Sequence, residues 1–393
     1  MGNVFKGFKI GTRILSKAKS SIFSQLVASK TGQGENAFPL VIVKRGKGPY
    51  VYDYDGNRFV DLDMSSGSLL MGHAHPHITK TLKSWLGRGY AAGYLTASHE
   101  VLAHRFFHAF LGGAPWKPVE LKWIFSDSAA DAKNALFSLL SAIGYGGNTY
   151  LINAESMRRF DNRKVDDPDY TADLQSLGGL RPGNGDFVFF KFEASFPAHD
   201  VEVVLKHLHE KGVLIVTDET DFSSHLRFRA HQTLLQYTRA RIFGPWTSSG
   251  FAFGAIAAEA DMFENRGDTS VFPLIQKALS FVSSPPLHKI KAAITFTRLL
   301  ENNGGIEGLI EKHKTFFRML DSRYFEQIDS MIYVKWGLNP VWECVQCFLR
   351  LLKEGCYFPL VRNAPLSLSY AHSGEILNDC AAKLNSIFQS IDR

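Results

Sequence analysis

The pattern of apolar and polar positions changes twice along the chain. Between Val41 and Leu62, short alternating stretches (Val41-Ile42-Val43, Tyr50-Val51-Tyr52, Phe59-Val60-Asp61-Leu62) are separated by Gly46-Lys47-Gly48-Pro49 and Asp55-Gly56-Asn57. Alternation around Asp-Gly predicts antiparallel hairpins. From about residue 76, helical patterns alternate with short apolar runs, clearest at Phe187–Phe192 and Val213–Thr217. Continuous apolar runs suit strands buried on both faces, and helices between them predict a mostly parallel sheet. From about Leu287 the chain is helical. It then predicts strands near Ile332–Val334, Cys344–Leu351 and Leu366–Tyr370, and a closing helix over 373–391. The expected fold class is α/β. A large domain spans 76–286, and a small α+β domain is built from both ends, 36–75 and 287–393. A basic extension, 1–35, precedes them, with linker composition over 31–37.

Composition narrows the function classes. The 393 residues are 45% hydrophobic and 21% charged, ordinary for a globular protein and unlike a disordered one. No apolar run reaches the length of a spanning helix. The four cysteines, at 344, 347, 356 and 380, are too few and too late for a secreted disulfide framework. They point to a reducing, cytoplasmic setting. The net charge of +6 is local: Lys6, Lys9, Arg13, Lys17, Lys19 and Lys30 fall in residues 1–30, which hold no acid. The remainder is nominally neutral, which argues against nucleic acid as a partner. The basic segment reads either as an amphipathic helix meeting an anionic membrane surface or partner, or as a surface helix packing Val4, Phe5, Phe8, Ile14 and Leu15 on its own protein. It lacks the apolar core of a signal peptide, and Gly2 lacks the hydroxyl residue at position 6 that myristoylation prefers.

Four clusters are candidates for chemistry. His73, His75 and His77 alternate, but no acid or cysteine cluster adjoins and Pro76 interrupts a strand, so a metal site is not expected. Cys344 and Cys347 form a lone CxxC in a β-patterned run, which reads as buried small residues. Asp218-Glu219 ends an apolar strand, where ligands of α/β sheets gather. Ser126-Asp127-Ser128 lies between a strand pattern and a helix. A serine there can help hold a phosphate, but the Asp127 carboxylate opposes an anion and suits the helix start itself, so a plain N-cap is the expectation.

The order of motifs resembles the class III pyridoxal-phosphate aminotransferases, nearest to their glutamate-1-semialdehyde aminomutase branch. The resemblance rests on Gly48-Pro-Tyr-Val-Tyr-Asp-Tyr-Asp-Gly56-Asn-Arg-Phe-Val-Asp61, Gly72-His-Ala-His-Pro76, Asp218-Glu219 and Tyr370-Ala-His-Ser373. It covers roughly residues 36–393. It implies a fold type I large domain and a homodimer with its site at the subunit interface. It also turns the histidine cluster into a structural signature. Asp218 matches the aspartate that pairs with the cofactor's pyridine nitrogen, Ser126 a serine of the phosphate cup, and Ser128 a position where a hydroxyl residue is usual.

The departures from the family are all at cofactor contacts. Phe243-Gly244-Pro245-Trp246 places Pro245 at the Schiff-base lysine, and residues 212–276 contain no lysine. Proline has no amine to form an imine. The aromatic pair that stacks on the ring falls near Met157-Arg158, and a phosphate-binding threonine falls at or near Phe281. A cup glycine is Asp127, and the following glutamate is Ala129. The expectation is a chain with no catalytic lysine and no covalently bound cofactor, pyridoxal phosphate being the one it would take if any. It would be a non-catalytic homodimeric scaffold or regulator, with an enzyme as a further partner. A small-molecule binder or altered enzyme using Asp218, Glu219, Arg158 and Arg159 is the second reading. An active aminotransferase or aminomutase with its lysine elsewhere is the third. Trp246 and Phe281 packed into a filled cleft would favour the scaffold, and a lysine within reach of Asp218 would favour the enzyme.

Overall fold

The computed structural model describes residues 7, 9, 10, 13, 41–88, 96–111, 120–143, 145, 149–152, 157–160, 171–172, 186–194, 197–264, 284–336, 340–359 and 364–391. The linker at 31–37, most of the basic extension and Phe281 lie outside the described residues. The chain divides into two compact units, residues 1–79 with 303–393, and residues 80–302.

The first unit opens with the expected hairpins, β1 (Val43–Lys47), β2 (Tyr50–Asp53) and β3 (Arg58–Asp61), paired antiparallel in sequence. Alternation buries Val51 and Phe59 on one face while β1 stays largely exposed at the edge. The basic extension is tied here: the Ile10 amide donates to Asp55 Oδ1 (2.7 Å), and Asn57 Nδ2 donates to the Gly7 carbonyl (2.9 Å). Helix α1 (Pro76–Leu86) follows.

The second unit is a three-layer arrangement of helices and one mixed sheet. Its strands are β4 (Leu121–Ser126), β5 (Thr149–Ile152), β6 (Met157–Phe160), β7 (Thr171–Ala172), β8 (Phe187–Phe190), β9 (Leu214–Glu219), β10 (Ala240–Phe243) and β11 (Gly254–Glu259). They are ordered β4-β11-β10-β9-β8-β5-β6-β7. The centre, β5, β8, β9 and β10, is parallel, and β11 runs antiparallel to both β10 and β4. β8 and β9 are buried along their whole length, which is why they read as unbroken apolar runs. The helices are α2 (Ala97–Phe106), α3 (Ala129–Ala142), α4 (Ala198–Glu210), α5 (Phe222–Ala230) and α6 (Leu287–Asn302). The sequence pattern grouped α6 with the C-terminal segment. It packs instead along α2 and over the turn Pro245–Ser248, within the 80–302 unit.

The chain returns to the first unit with α7 (Gly305–Phe317), the hairpin β12 (Phe325–Ile328) and β13 (Met331–Val334), α8 (Pro340–Lys353), β14 (Cys356–Tyr357) and α9 (Gly374–Ile391). β14 adds to β3 in parallel. Two strand expectations fail. Cys344–Leu351 lies in α8, where buried Val345, Phe348 and Leu352 recur at helical spacing. Leu366–Tyr370 is extended but joins a ladder only at Leu366, bridged to Ile332. The closing helix is as expected.

Candidate functional site

β4, β9 and β10 end at the same edge of the large sheet, which carries Ser126, Asp218 and the start of Gly244-Pro245. Asp218 is 2% exposed. Burial of a carboxylate requires partners, and both of its oxygens have them. Oδ1 accepts from the Thr220 hydroxyl (2.6 Å) and amide (3.1 Å), and Oδ2 pairs with Lys133 Nζ (2.6 Å), which reaches it from α3. The Lys133 side chain is 40% exposed, so the pair lies at the protein surface. Nearby, Lys191 pairs with Asp221.

Glu219 has a different role. It is fully buried and held bidentately by Arg241, Nε and one terminal nitrogen each at 2.6 Å. Thr217 donates to Oε1 (2.7 Å), and His225 Nδ1 lies 2.8 Å from Oε2. Burial alone would raise its pKa; the Arg241 charge and the bonds from His225 and Arg241 prevail and lower it to about 2. Burial also pushes His225 down, against the bond to Glu219. Neutral His225 donates through Nδ1 and leaves Nε2 buried without a partner. These contacts make a structural network under the sheet edge.

At the end of β4 the expected N-cap is present: the Asp131 amide donates to Ser128 Oγ (3.1 Å). Ser128 Oγ in turn donates to Asp131 Oδ2 (2.8 Å), and Ser126 Oγ donates to the Ser128 carbonyl (2.8 Å). The Asp127 carboxylate is paired with Lys289 of α6 (2.5 Å). Thus both serine hydroxyls donate within the turn, and the charge at this helix start belongs to the protein.

Pro245 opens a single 3-10 turn, Pro245–Ser248, with Gly244 as its N-cap. A Cβ at Gly244 would lie 2.2 Å from the Thr220 carbonyl, so the backbone here runs against the residue that braces Asp218. Trp246 is 0% exposed, and its Nε1 donates to the Glu219 carbonyl (2.8 Å). Its ring packs on His225 at 4.5 Å and Phe110 at 4.8 Å between centroids. Met157 and Arg158 lie on β6.

Sequence reasoning missed Lys133 and Lys289. Lys133 carried one usable signal, a cation in the second turn of the helix that begins at the serine cup. Lys289 is 162 residues from Asp127 and carried none.

The remaining signature residues meet in the first unit. His73 Nε2 bonds Asp61 Oδ2 (2.7 Å), and its backbone exchanges two bonds with Gly48, each 2.8 Å. Gly72 has φ +82°, and a Cβ on it would stand 2.6 Å from the Ala371 Cβ. Neutral His372 joins the node through Nε2 to the Asp61 carbonyl (3.1 Å). Cys344 and Cys347 are buried on α8, one helical turn apart.

Comparison with known proteins agrees with this architecture. The family Aminotransferase class-III matches residues 31–133. The glutamate-1-semialdehyde 2,1-aminomutase of Heliobacterium modesticaldum is 40% identical over 70 residues, 18% of this chain and 16% of its own length. The match thus spans about a sixth of that relative. Among solved structures, the FumI protein of Sphingopyxis sp. MTA144 in its PLP internal aldimine form superposes with a TM-score of 0.72 at 16% identity, covering 98% of this chain and 96% of that one. An omega-transaminase from Sphaerobacter thermophilus gives 0.72 at 13% identity, with 98% of both chains covered. A glutamate-1-semialdehyde aminomutase from Pseudomonas aeruginosa PAO1 gives 0.67 at 14%, covering 98% and 97%. The fold is that of the fold type I aminotransferases. Within that fold, residues 31–133, the N-terminal third of the chain, are similar in sequence to the class III aminotransferases.

Pyridoxal phosphate is the cofactor of this class, and the atoms that the resemblance assigns to it do not fit it as they stand. Asp218 is neutralised by Lys133, where a pyridinium would need it free. The Asp127 carboxylate stands in the cup that would face a phosphate, and both serine hydroxyls donate within the protein. Pro245 offers no amine.

Proposed function

We propose that this chain is a class III aminotransferase-like protein, of the glutamate-1-semialdehyde aminomutase type in its scaffold, that has given up Schiff-base chemistry. It serves in the cytoplasm as a non-catalytic homodimeric scaffold or regulator of a partner enzyme. The observation that carries this reading is Pro245. It sits in a tight turn at the sheet edge, followed by a buried Trp246 that is hydrogen-bonded to the Glu219 backbone. An imine needs an amine there, and no lysine occurs in residues 212–276. The internal pairs Lys133–Asp218 and Lys289–Asp127 support it, because each supplies a charge that a cofactor would otherwise bring.

One observation favours the second reading, a binder or altered enzyme. The Lys133 side chain remains 40% exposed beside a buried carboxylate at the ligand-binding edge of the sheet. The deciding experiment mixes the full chain with pyridoxal phosphate, records the spectrum and then reduces with borohydride. No imine band at about 410–430 nm and no pyridoxyl-lysine is the expected result. A stoichiometric adduct on one lysine, Lys133 above all, would sink the proposal and revive the enzyme.

A further inference from the structure

Two of the four cysteines face each other in the core of the first unit. Cys356 begins β14 and sits in register with Val60 of β3. Cys380 lies in the second turn of α9. Their sulfurs are 3.8 Å apart and both residues are 0% exposed. Neither is a signature residue, and neither belongs to the sheet edge at Asp218.

The surroundings differ from an inert core contact in two ways. A surface pocket of about 90 Å³ is lined by Gly355 and Asp379, the chain neighbours of the two cysteines, and by Lys383. A peroxide molecule is small enough for such a space, and its passage from there to the sulfurs requires a local opening of α9. The second feature is charge. Lys383 follows Cys380 by one turn and pairs with Asp379 at 2.7 Å. The two thiols are in hydrogen-bond contact, either sulfur being able to donate, and the Lys383 ammonium favours the thiolate of each. A thiol that donates to its neighbour keeps its proton while the neighbour is favoured as the thiolate, the arrangement that a resolving thiol and a nucleophile require.

We propose that Cys356 and Cys380 form a peroxide-reactive dithiol that closes to a disulfide, tying α9 to the edge of the small sheet. The Cys356 thiolate attacks one peroxide oxygen. The O–O bond breaks, hydroxide leaves and takes a proton, and Cys356 becomes a sulfenic acid. Cys380 sulfur then attacks Cys356 Sγ, the S–O bond breaks, and the thiol proton leaves with the oxygen as water. In total, two thiols and one hydrogen peroxide give one disulfide and two waters. The sulfurs lose two electrons and the peroxide gains them. The pair must approach by about 1.8 Å to reach a bond of roughly 2.05 Å, a distance that χ1 changes with a small shift of α9 can supply.

The test uses the full native chain and a few equivalents of hydrogen peroxide. Intact mass should fall by about 2 Da (two hydrogens lost, as disulfide formation requires). A non-reducing digest should join the peptides holding Cys356 and Cys380, and a reductant should restore the starting mass. The single variants separate the roles. Cys380→Ser should stop at a sulfenic acid on Cys356 that dimedone captures. Cys356→Ser should leave Cys380 unmodified under the same exposure. Unchanged mass in the native chain, a gain of two oxygens on either residue, or a bridge between Cys344 and Cys347 would each overturn the proposal. The wild-type digest decides it even if a serine variant fails to fold.

Discussion

Around Gly72 the signature segments satisfy one another, whereas around Asp218 the acidic residues are satisfied by charges from outside any motif. In the first unit, Gly72 leaves the room that Ala371 fills, His73 and His372 both bond Asp61, and the Gly48 backbone pairs with His73. In the second, Asp218 is met by Lys133 and Asp127 by Lys289. The difference is physical. A node packed to within a Cβ tolerates no stranger, because interiors are close-packed and each volume is shared. A buried charge asks only for an opposite charge within reach, and one lysine on a neighbouring helix meets that need. Packing therefore preserves a scaffold while ion pairing lets a site be refilled.

Acid should separate the two regions most. In the first unit His313 and His372 are pushed down to about 4 by burial. Each must stay neutral because one ring nitrogen accepts a backbone amide: His313 Nε2 from Leu368 (3.2 Å) and His372 Nδ1 from Ser369 (3.0 Å). In the unfolded chain they protonate near 6.5. The unfolded state thus binds more protons, so this stability is fully present above about pH 6.5 and is lost as pH falls towards 4. Two protons correspond to about 2.7 kcal/mol per pH unit within that window. Glu219 in the second unit acts in the same direction but in a lower window. Its pKa is depressed from 4.5 to about 2, so its contribution holds above 4.5 and is lost only below it. Hydrogen exchange at pH 7, 5.5 and 4.8 should show protection falling first around Leu368 and Ser369, where His313 and His372 are both held neutral, and less in β9 and β10, beside His225. Simultaneous loss in both units would erase the distinction.

Next in size is Arg241→Met. It leaves Glu219, 0% exposed, with a carboxylate facing only His225 and Thr217. Breaking a buried pair from one side costs about 3–5 kcal/mol. Denaturant midpoints should fall accordingly, and Arg241→Met with Glu219→Gln should recover part of the loss. A single variant within 1 kcal/mol of wild type (roughly the worth of an exposed pair) would show that the network is not holding this sheet edge.

Gly72→Ala tests the packed node. The new Cβ would sit 2.6 Å from the Ala371 Cβ and 2.9 Å from the Gly48 carbonyl, at a φ of +82°. Strain and overpacking together suggest a loss of about 2–4 kcal/mol. Ala371→Gly should restore only part of it, because it removes the side-chain clash and leaves the backbone strain and the Gly48 contact. Full rescue would mean that backbone conformation contributes nothing here.

Much of this was legible in the sequence, for different reasons. β8 and β9 were readable because burial on both faces leaves an unbroken apolar run, and the hairpins because Asp55-Gly56 marks a turn between alternating strands. α8 was not, because Cys344-Val-Gln-Cys-Phe-Leu satisfies short strand and helix patterns alike and only its full length separates them. The positions of Asp218 and Ser126 at one sheet edge could be anticipated from strand ends, and Pro245 from the family resemblance. The partners could not. Lys289 meets Asp127 across 162 residues, and point charges leave no spacing rule by which sequence could pair them.

The smallest expected effect is the one that bears most directly on the sheet edge at Asp218. Lys133→Met removes the cation from a carboxylate whose side chain is 3% exposed. An unpaired buried charge is costly, but two features limit the loss. Thr220 still donates twice to Oδ1, and Lys133 is 40% exposed, so solvent already screens the pair. About 1–2 kcal/mol is the expected penalty. Asp218→Asn should cost less, because a half-exposed lysine side chain can turn to water while the amide keeps an acceptor for Thr220. Combined, the two substitutions should cost little more than Lys133→Met alone, with a coupling of about 1 kcal/mol in the double-mutant cycle. That coupling is the measurable content of the statement that Lys133 stands in for a bound cation. Strictly additive losses would mean that the two side chains are neighbours without being partners. Asp218 would then still await a cation from outside the chain.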